Sequence, residues 1–89
     1  MIKLTNAEYK KDYKILLRFS DSSWGVYDFA DLVKTKSTMT APFADAAFFR
    51  RFFIELGALA WPNGFDLSAG SLQKRLEEKG ELHRDAAAA

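Results

Sequence analysis

Apolar and polar positions alternate early in the chain. Tyr13, Ile15, Leu17 and Phe19 fall on one side of an extended run, with Lys14, Leu16 and Arg18 on the other. That is the period of a half-buried strand. Ile2 and Leu4 alternate with Lys3 and Thr5 in a shorter run of the same kind. Ser20-Asp21-Ser22-Ser23 is rich in side chains that satisfy turn backbone. Trp24-Gly25-Val26-Tyr27-Asp28-Phe29 then returns as a second run of strand formers. The two runs predict an antiparallel hairpin.

Periodicity weakens after Phe29. Asp28 or Asp31 can open a short helical turn around Leu32 and Val33, and the polar stretch from Lys34 to Thr40 reads as a loop. Pro42 to Arg50 suits a short helix, with Asp45 near its start, where a carboxylate is favourable against the helix dipole. Phe52-Phe53-Ile54-Glu55 and Ala58-Leu59-Ala60-Trp61 predict a second hairpin around Leu56-Gly57. Alternation puts Phe52, Ile54, Leu59 and Trp61 on its inner face. Trp61-Pro62-Asn63-Gly64 then turns the chain, because Asn and Gly tolerate positive φ. Asp66 or Ser68 can cap a helix that carries Leu72 and Leu76 four residues apart, and Gly80 is placed to stop it. The expected fold class is α+β: a small, mainly antiparallel sheet of two hairpins, with one short helix and one longer C-terminal helix. Residues 1–80 form the single domain and 81–89 a frayed tail.

Composition narrows the function classes. The chain has 89 residues, which fits one domain, and eight Phe supply a large ring area for its core. Without cysteine there is neither a disulfide framework nor a thiolate nucleophile. Thirteen basic against twelve acidic residues give a net charge of +1, which disfavours nucleic-acid binding by overall charge. No apolar run approaches the roughly 20 residues that span a bilayer, and Met1-Ile2-Lys3-Leu4-Thr5 lacks a leader's apolar region. The expected location is therefore the cytoplasm.

The residues also carry a resemblance. Asp12-Tyr13-Lys14-Ile15-Leu16-Leu17-Arg18-Phe19, then Val26-Tyr27-Asp28-Phe29, Phe48-Phe49-Arg50-Arg51-Phe52, and above all Leu59-Ala60-Trp61-Pro62-Asn63-Gly64-Phe65-Asp66-Leu67 resemble a small bacterial family, domain of unknown function 2442. The likeness runs from about Ile2 to Leu72. Two turns depart from the family pattern: Ser22 stands where it usually carries Gly, and Ser68-Ala69 where it often carries Pro. The resemblance implies an α+β fold on a small antiparallel sheet. Some members append a DNA-binding helix-turn-helix, which one helix after Leu67 does not supply. Family genes often lie beside one for a small toxin-like protein, implying an antitoxin or partner-binding role.

No pattern of residues predicts catalysis. His83, the single histidine, sits among polar residues near the C-terminus. Asp28, Asp31, Asp45, Glu55 and Asp66 are spread one per element, where capping and turn formation account for them. No phosphate-binding glycine pattern occurs, and neither metal nor cofactor is expected. Trp61, Pro62, Asn63, Gly64 and Asp66 form the structural motif. Leu72 and Leu76 are candidate partner contacts, although covering the protein's own sheet is their commoner role. Lys10, Lys11, Lys14 and Arg18, interleaved with Tyr9 and Tyr13, are candidate nucleic-acid contacts. The favoured reading is a non-catalytic protein-interaction module whose partner is another small protein, such as the product of an adjacent gene in a toxin–antitoxin pair. A nucleic-acid-binding accessory protein comes second and a small enzyme third.

Overall fold

The hairpin expected over residues 13–29 lies at the centre of a longer meander. The computed structural model describes residues 1–35 and 37–84. In chain order its elements are β1 (Leu4–Lys11), β2 (Lys14–Phe19), β3 (Ser23–Asp28), α1 (Ala30–Lys34), a 3-10 turn (Ala41–Ala44), α2 (Ala46–Phe49), β4 (Phe53–Glu55), β5 (Ala58–Ala60), β6 (Asp66–Leu67), α3 (Ala69–Glu78) and β7 (His83–Arg84). The fold is α+β, and every strand pairing is antiparallel.

The two hairpins belong to separate sheets rather than one. One sheet has the order β1-β2-β3-β7 and the other β4-β5-β6. They meet where β1 passes the β4–β5 turn. There the Leu4 amide donates to the Gly57 carbonyl at 2.8 Å, and the Arg50 guanidinium lies 4.3 Å from the Tyr9 ring centre. No ladder joins β1 to β4 among the described residues. Register shifts between Leu4 and Asn6 and between Tyr9 and Lys11 bend β1, and a bent edge resists continuous pairing.

Strand β1 extends the short N-terminal alternation by several residues. Its turn into β2 uses Asp12 at φ 50, a conformation that Asp tolerates better than most residues. The β2–β3 turn runs through Ser22 at φ 71, with the Asp21 carboxylate accepting from the Ser23 amide at 3.0 Å. Leu56 and Gly57 both take positive φ, as a two-residue hairpin loop requires. Strand β4 departs from expectation: Ile54 pairs with Leu59 but stays 36% exposed, beside Phe53 at 41%. Its three residues overhang the rim of a core already filled from the inner side by Leu59 and Trp61.

The core is largely aromatic. Ile15, Leu17 and Phe19 enter it from β2, Phe29 follows β3, and Phe43, Phe49 and Trp61 close it. The Trp61 ring centre lies 4.7 Å from that of Phe43 and 5.9 Å from those of Phe29 and Phe65. Its Nε1–H donates to the Phe49 carbonyl at 2.8 Å. Asp45 caps α2, accepting from the Ala47 amide.

Helix α3 covers the inner face of the meander. Ser68 is its N-cap and accepts from the Ser71 amide. Leu72 and Leu76 are fully buried, each contributing about 1.5–3 kcal/mol by burial. At its end Gly80 takes φ +70. Gly80 N–H bonds the Glu77 carbonyl and Glu81 N–H the Leu76 carbonyl, the paired bonds of a Schellman stop. The chain therefore does not fray at Glu81. The stop redirects it to the edge of β3, where β7 pairs with Ser23 and Trp24. Gly25 is necessary to that approach, since a Cβ there would sit 2.7 Å from the Glu81 carbonyl oxygen. The rest of the expected tail, residues 85–89, lies outside the described residues.

Candidate functional site

The pleat of the meander separates two sets of residues. Odd-numbered β2 residues enter the core, so Lys14, Leu16 and Arg18 point the other way. Register then fixes their neighbours. Arg18 stands opposite Asn6 on β1 and Trp24 on β3; Leu16 stands opposite Glu8 and Val26; Lys14 stands opposite Lys11 and Asp28. His83 on β7 stands opposite Trp24. The outer face thus carries an apolar strip, Leu16–Val26–Trp24, framed by Lys11, Lys14, Arg18 and His83. Leu16 is buried at 6% exposure yet lies outside the aromatic core, and Val26 and Trp24 are half-buried.

Charges on this face are unevenly engaged. Glu8 pairs with Lys10 at 3.4 Å, and the Asp28 carboxylate accepts from the Ala30 amide at 2.9 Å. Among the described residues no carboxylate lies within ion-pair distance of Lys11, Lys14 or Arg18. The Arg18 guanidinium is 5.9 Å from the Trp24 ring centre. His83 stacks on Trp24 with ring centres 4.5 Å apart and planes 27° apart. That contact corrects the reading of His83 as a loose tail residue, although its side chain remains exposed.

The other predicted residues fall elsewhere. Tyr9 and Tyr13 do not interleave with the basic residues on a surface. Tyr9 stands opposite core residue Ile15, and the Tyr13 hydroxyl donates inward to the Phe43 carbonyl at 3.0 Å. Leu72 and Leu76 are enclosed in this protein's own core, which removes them as partner contacts. Trp61 is an interior anchor. Pro62, Asn63 and Gly64 form an exposed turn in which Gly64, at φ +90, alone has positive φ. Asn63 does more than turn the chain: its Nδ2–H donates to the Met39 carbonyl and its Oδ1 accepts from the Phe65 amide. Asp66 is exposed on β6, and Ser68 rather than Asp66 caps α3.

In the sequence Asp21 reads only as a turn residue. Its Oδ1 accepts from the Ser23 hydroxyl and amide, and its Oδ2 from Gln73 on α3 and Arg84 on β7. The Ser23 hydroxyl above all, with the other donors, holds the carboxyl well below the usual carboxylate range despite partial desolvation. A Ser two residues after an Asp was a signal for the local half of this network; the long-range half was not.

A groove of about 730 Å³ beside α1 is lined by Val33, Lys34, Thr35, Ser37, Thr38, Ala41 and Ala44. Among the described residues it presents one cation and no carboxylate or imidazole, and so no acid–base pair. Among the described residues no three His, Asp or Glu side chains converge closely enough to hold a metal ion, and no helix is long and apolar enough to cross a membrane.

Fold and surface together define a small α+β domain with a helix packed on one side of its meander. The chain belongs to the DUF2442 family of proteins of unknown function, whose model matches residues 4–78. Among curated proteins and solved structures, nothing matches it.

Proposed function

We propose that this domain is a non-catalytic protein-interaction module, acting as the antitoxin-like member of a pair of small proteins encoded side by side. One observation supports the reading: Leu16, Val26 and Trp24 form an apolar strip on the face opposite the core, of which Val26 and Trp24 keep part of their surface exposed. A second protein is the natural cover for such a strip. Nucleic-acid binding is the alternative, favoured by Lys11, Lys14 and Arg18 sharing that face. It is weakened by the inward turn of Tyr9 and Tyr13.

Co-expression with the product of the adjacent reading frame tests the proposal. The expected result is a complex that survives size exclusion at micromolar concentration, with amide exchange slowed in residues 14–19 and 23–28. Absence of a complex, with salt-steep binding of duplex or single-stranded DNA, would replace this reading by the alternative.

A further inference from the structure

We infer that two copies of this chain associate about a two-fold axis through their β4–β5 turns. Leu56 of each copy would enter a pocket beside Leu56 of the other. The contact is separate from the outer strip of the meander and does not depend on what docks there.

Leu56 is the misfit that points to it. At φ 52 it lies in the left-handed region, where a side chain other than that of Asn or Asp is costly. It is also 94% exposed, so the single chain gains almost no burial in return. Asn would suit the turn better on both counts. A strained and exposed leucine is a side chain presented to something outside the chain. Phe53 and Ile54 carry exposed apolar surface back along the same hairpin.

The matching hole lies against the same turn. A pocket of about 300 Å³ is lined in part by Ile2, Lys3, Leu56, Ala58, Ala69 and Gly70. A cavity of roughly 150 Å³ with apolar walls already accepts benzene, so this one admits a leucine side chain. Its walls are fixed. The Lys3 amide donates to the Ser20 hydroxyl at 3.0 Å, and the Lys3 carbonyl accepts from the Ser20 amide at 2.8 Å. A Cβ on Gly57 would sit 2.7 Å from Lys3 Cβ, so the bare glycine lets the Lys3 stem lie on the turn. Knob and hole side by side on one surface are what an isologous contact needs, since each copy gives its Leu56 and receives the other's. A partner of different surface would account for the knob but not for the hole beside it.

Charge completes the match. Glu55 stands opposite Ala58 across the hairpin and so shares the face of that pocket residue. Lys3 borders the pocket as well. Neither has an ion-pair partner among the described residues. A two-fold axis at the turns would set Lys3 of each copy against Glu55 of the other.

Sedimentation velocity of the full chain between about 10 µM and 1 mM is the test, the range suited to a contact smaller than the roughly 800 Å² a side of a standard interface. The wild type should pass from monomer to dimer within it. Leu56→Asn should weaken the dimer about tenfold or more, while its melting temperature holds level or rises because Asn accepts the turn. Lys3→Glu and Glu55→Lys should each weaken self-association about threefold or more. Mixed in equal amounts, these two variants should associate at least as well as wild type, because each supplies the charge that the other has lost. An ion pair within one chain would not be restored by mixing. A wild type still monomeric at about 1 mM, a dimer indifferent to Leu56→Asn, or charge variants that mixing fails to restore would overturn the inference.

Discussion

Trp61→Ala removes the side chain that joins the two halves of the core. The indole is 1% exposed and contacts rings from the β3–α1 junction, the 3-10 turn, α2 and the Asn63–Gly64 turn. A buried indole removes about 150–250 Å² from water, or roughly 4–6 kcal/mol at about 25 cal/mol/Å². Alanine recovers part of this, leaving about 3–5 kcal/mol. The Phe49 carbonyl also loses its donor, adding about 1–3 kcal/mol if water cannot replace it. A domain of this length has a total stability of about 4–13 kcal/mol. The variant should therefore be largely unfolded at 25 °C, or melt at least about 15 °C below wild type. Trp61→Phe keeps a ring and loses the N–H, so it should fall between them. Urea and thermal unfolding followed by far-UV circular dichroism measures both, with Trp24 fluorescence as a second probe. A Trp61→Ala melting temperature within about 5 °C of wild type would show that the aromatic cluster does not hold the domain together.

Gly64→Val should cost about 1–2 kcal/mol or more. A Cβ there meets nothing within 4 Å, so the cost is conformational, and Gly64→Asn should be milder in the same urea titration. Gly25→Ala should cost about 1–3 kcal/mol and speed amide exchange in residues 81–84, because its Cβ displaces the Glu81 carbonyl. Unchanged exchange there would mean that the C-terminal strand does not need the glycine. Asp21→Asn should destabilise the domain at neutral pH. Because the folded carboxyl is held below its usual range, its contribution is fully present above the ordinary carboxylate pKa near 4. It is lost as pH falls towards the lower folded value. The stability gap between wild type and Asp21→Asn should narrow from pH 6 to pH 3; a constant gap would place the effect in packing.

Local signals were legible where one face of a strand met the core. Tyr13 to Phe29 alternates cleanly because both strands are flanked by neighbours, and Leu56-Gly57, Ser68 and Gly80 carry turn and cap chemistry in their side chains or lack of them. Strand β1 was harder to read. Its bulges interrupt the period of two, and Asn6, Glu8 and Lys10 are exposed, so the segment reads as a basic stretch. The two residues of β7 are too few for any period and owe their position to Gly25, Trp24 and Asp21 far away in sequence. Ile54 shows the opposite failure: alternation assigned it a core that its strand overhangs. The outer face was half visible, since Lys14 and Arg18 were read on one solvent side. Its apolar strip needed the register that sets Val26 beside Leu16 and His83 beside Trp24.

Strand β7 also closes part of a sheet edge. An exposed strand edge carries unpaired amides and carbonyls that another chain can complete. Here a short, charged segment occupies part of the β3 edge, tied by the Arg84–Asp21 bond of 3.0 Å and the His83–Trp24 stack. The family match stops at residue 78, before this segment begins. A protein trimmed at that boundary would keep every helix and the aromatic core. It would lose the cap on β3 at Trp24, leaving Val26, Trp24 and an open backbone edge together on one rim, a combination that favours intermolecular strand pairing. The few residues beyond the family boundary thus close part of a backbone edge that would otherwise be left for another chain to pair with.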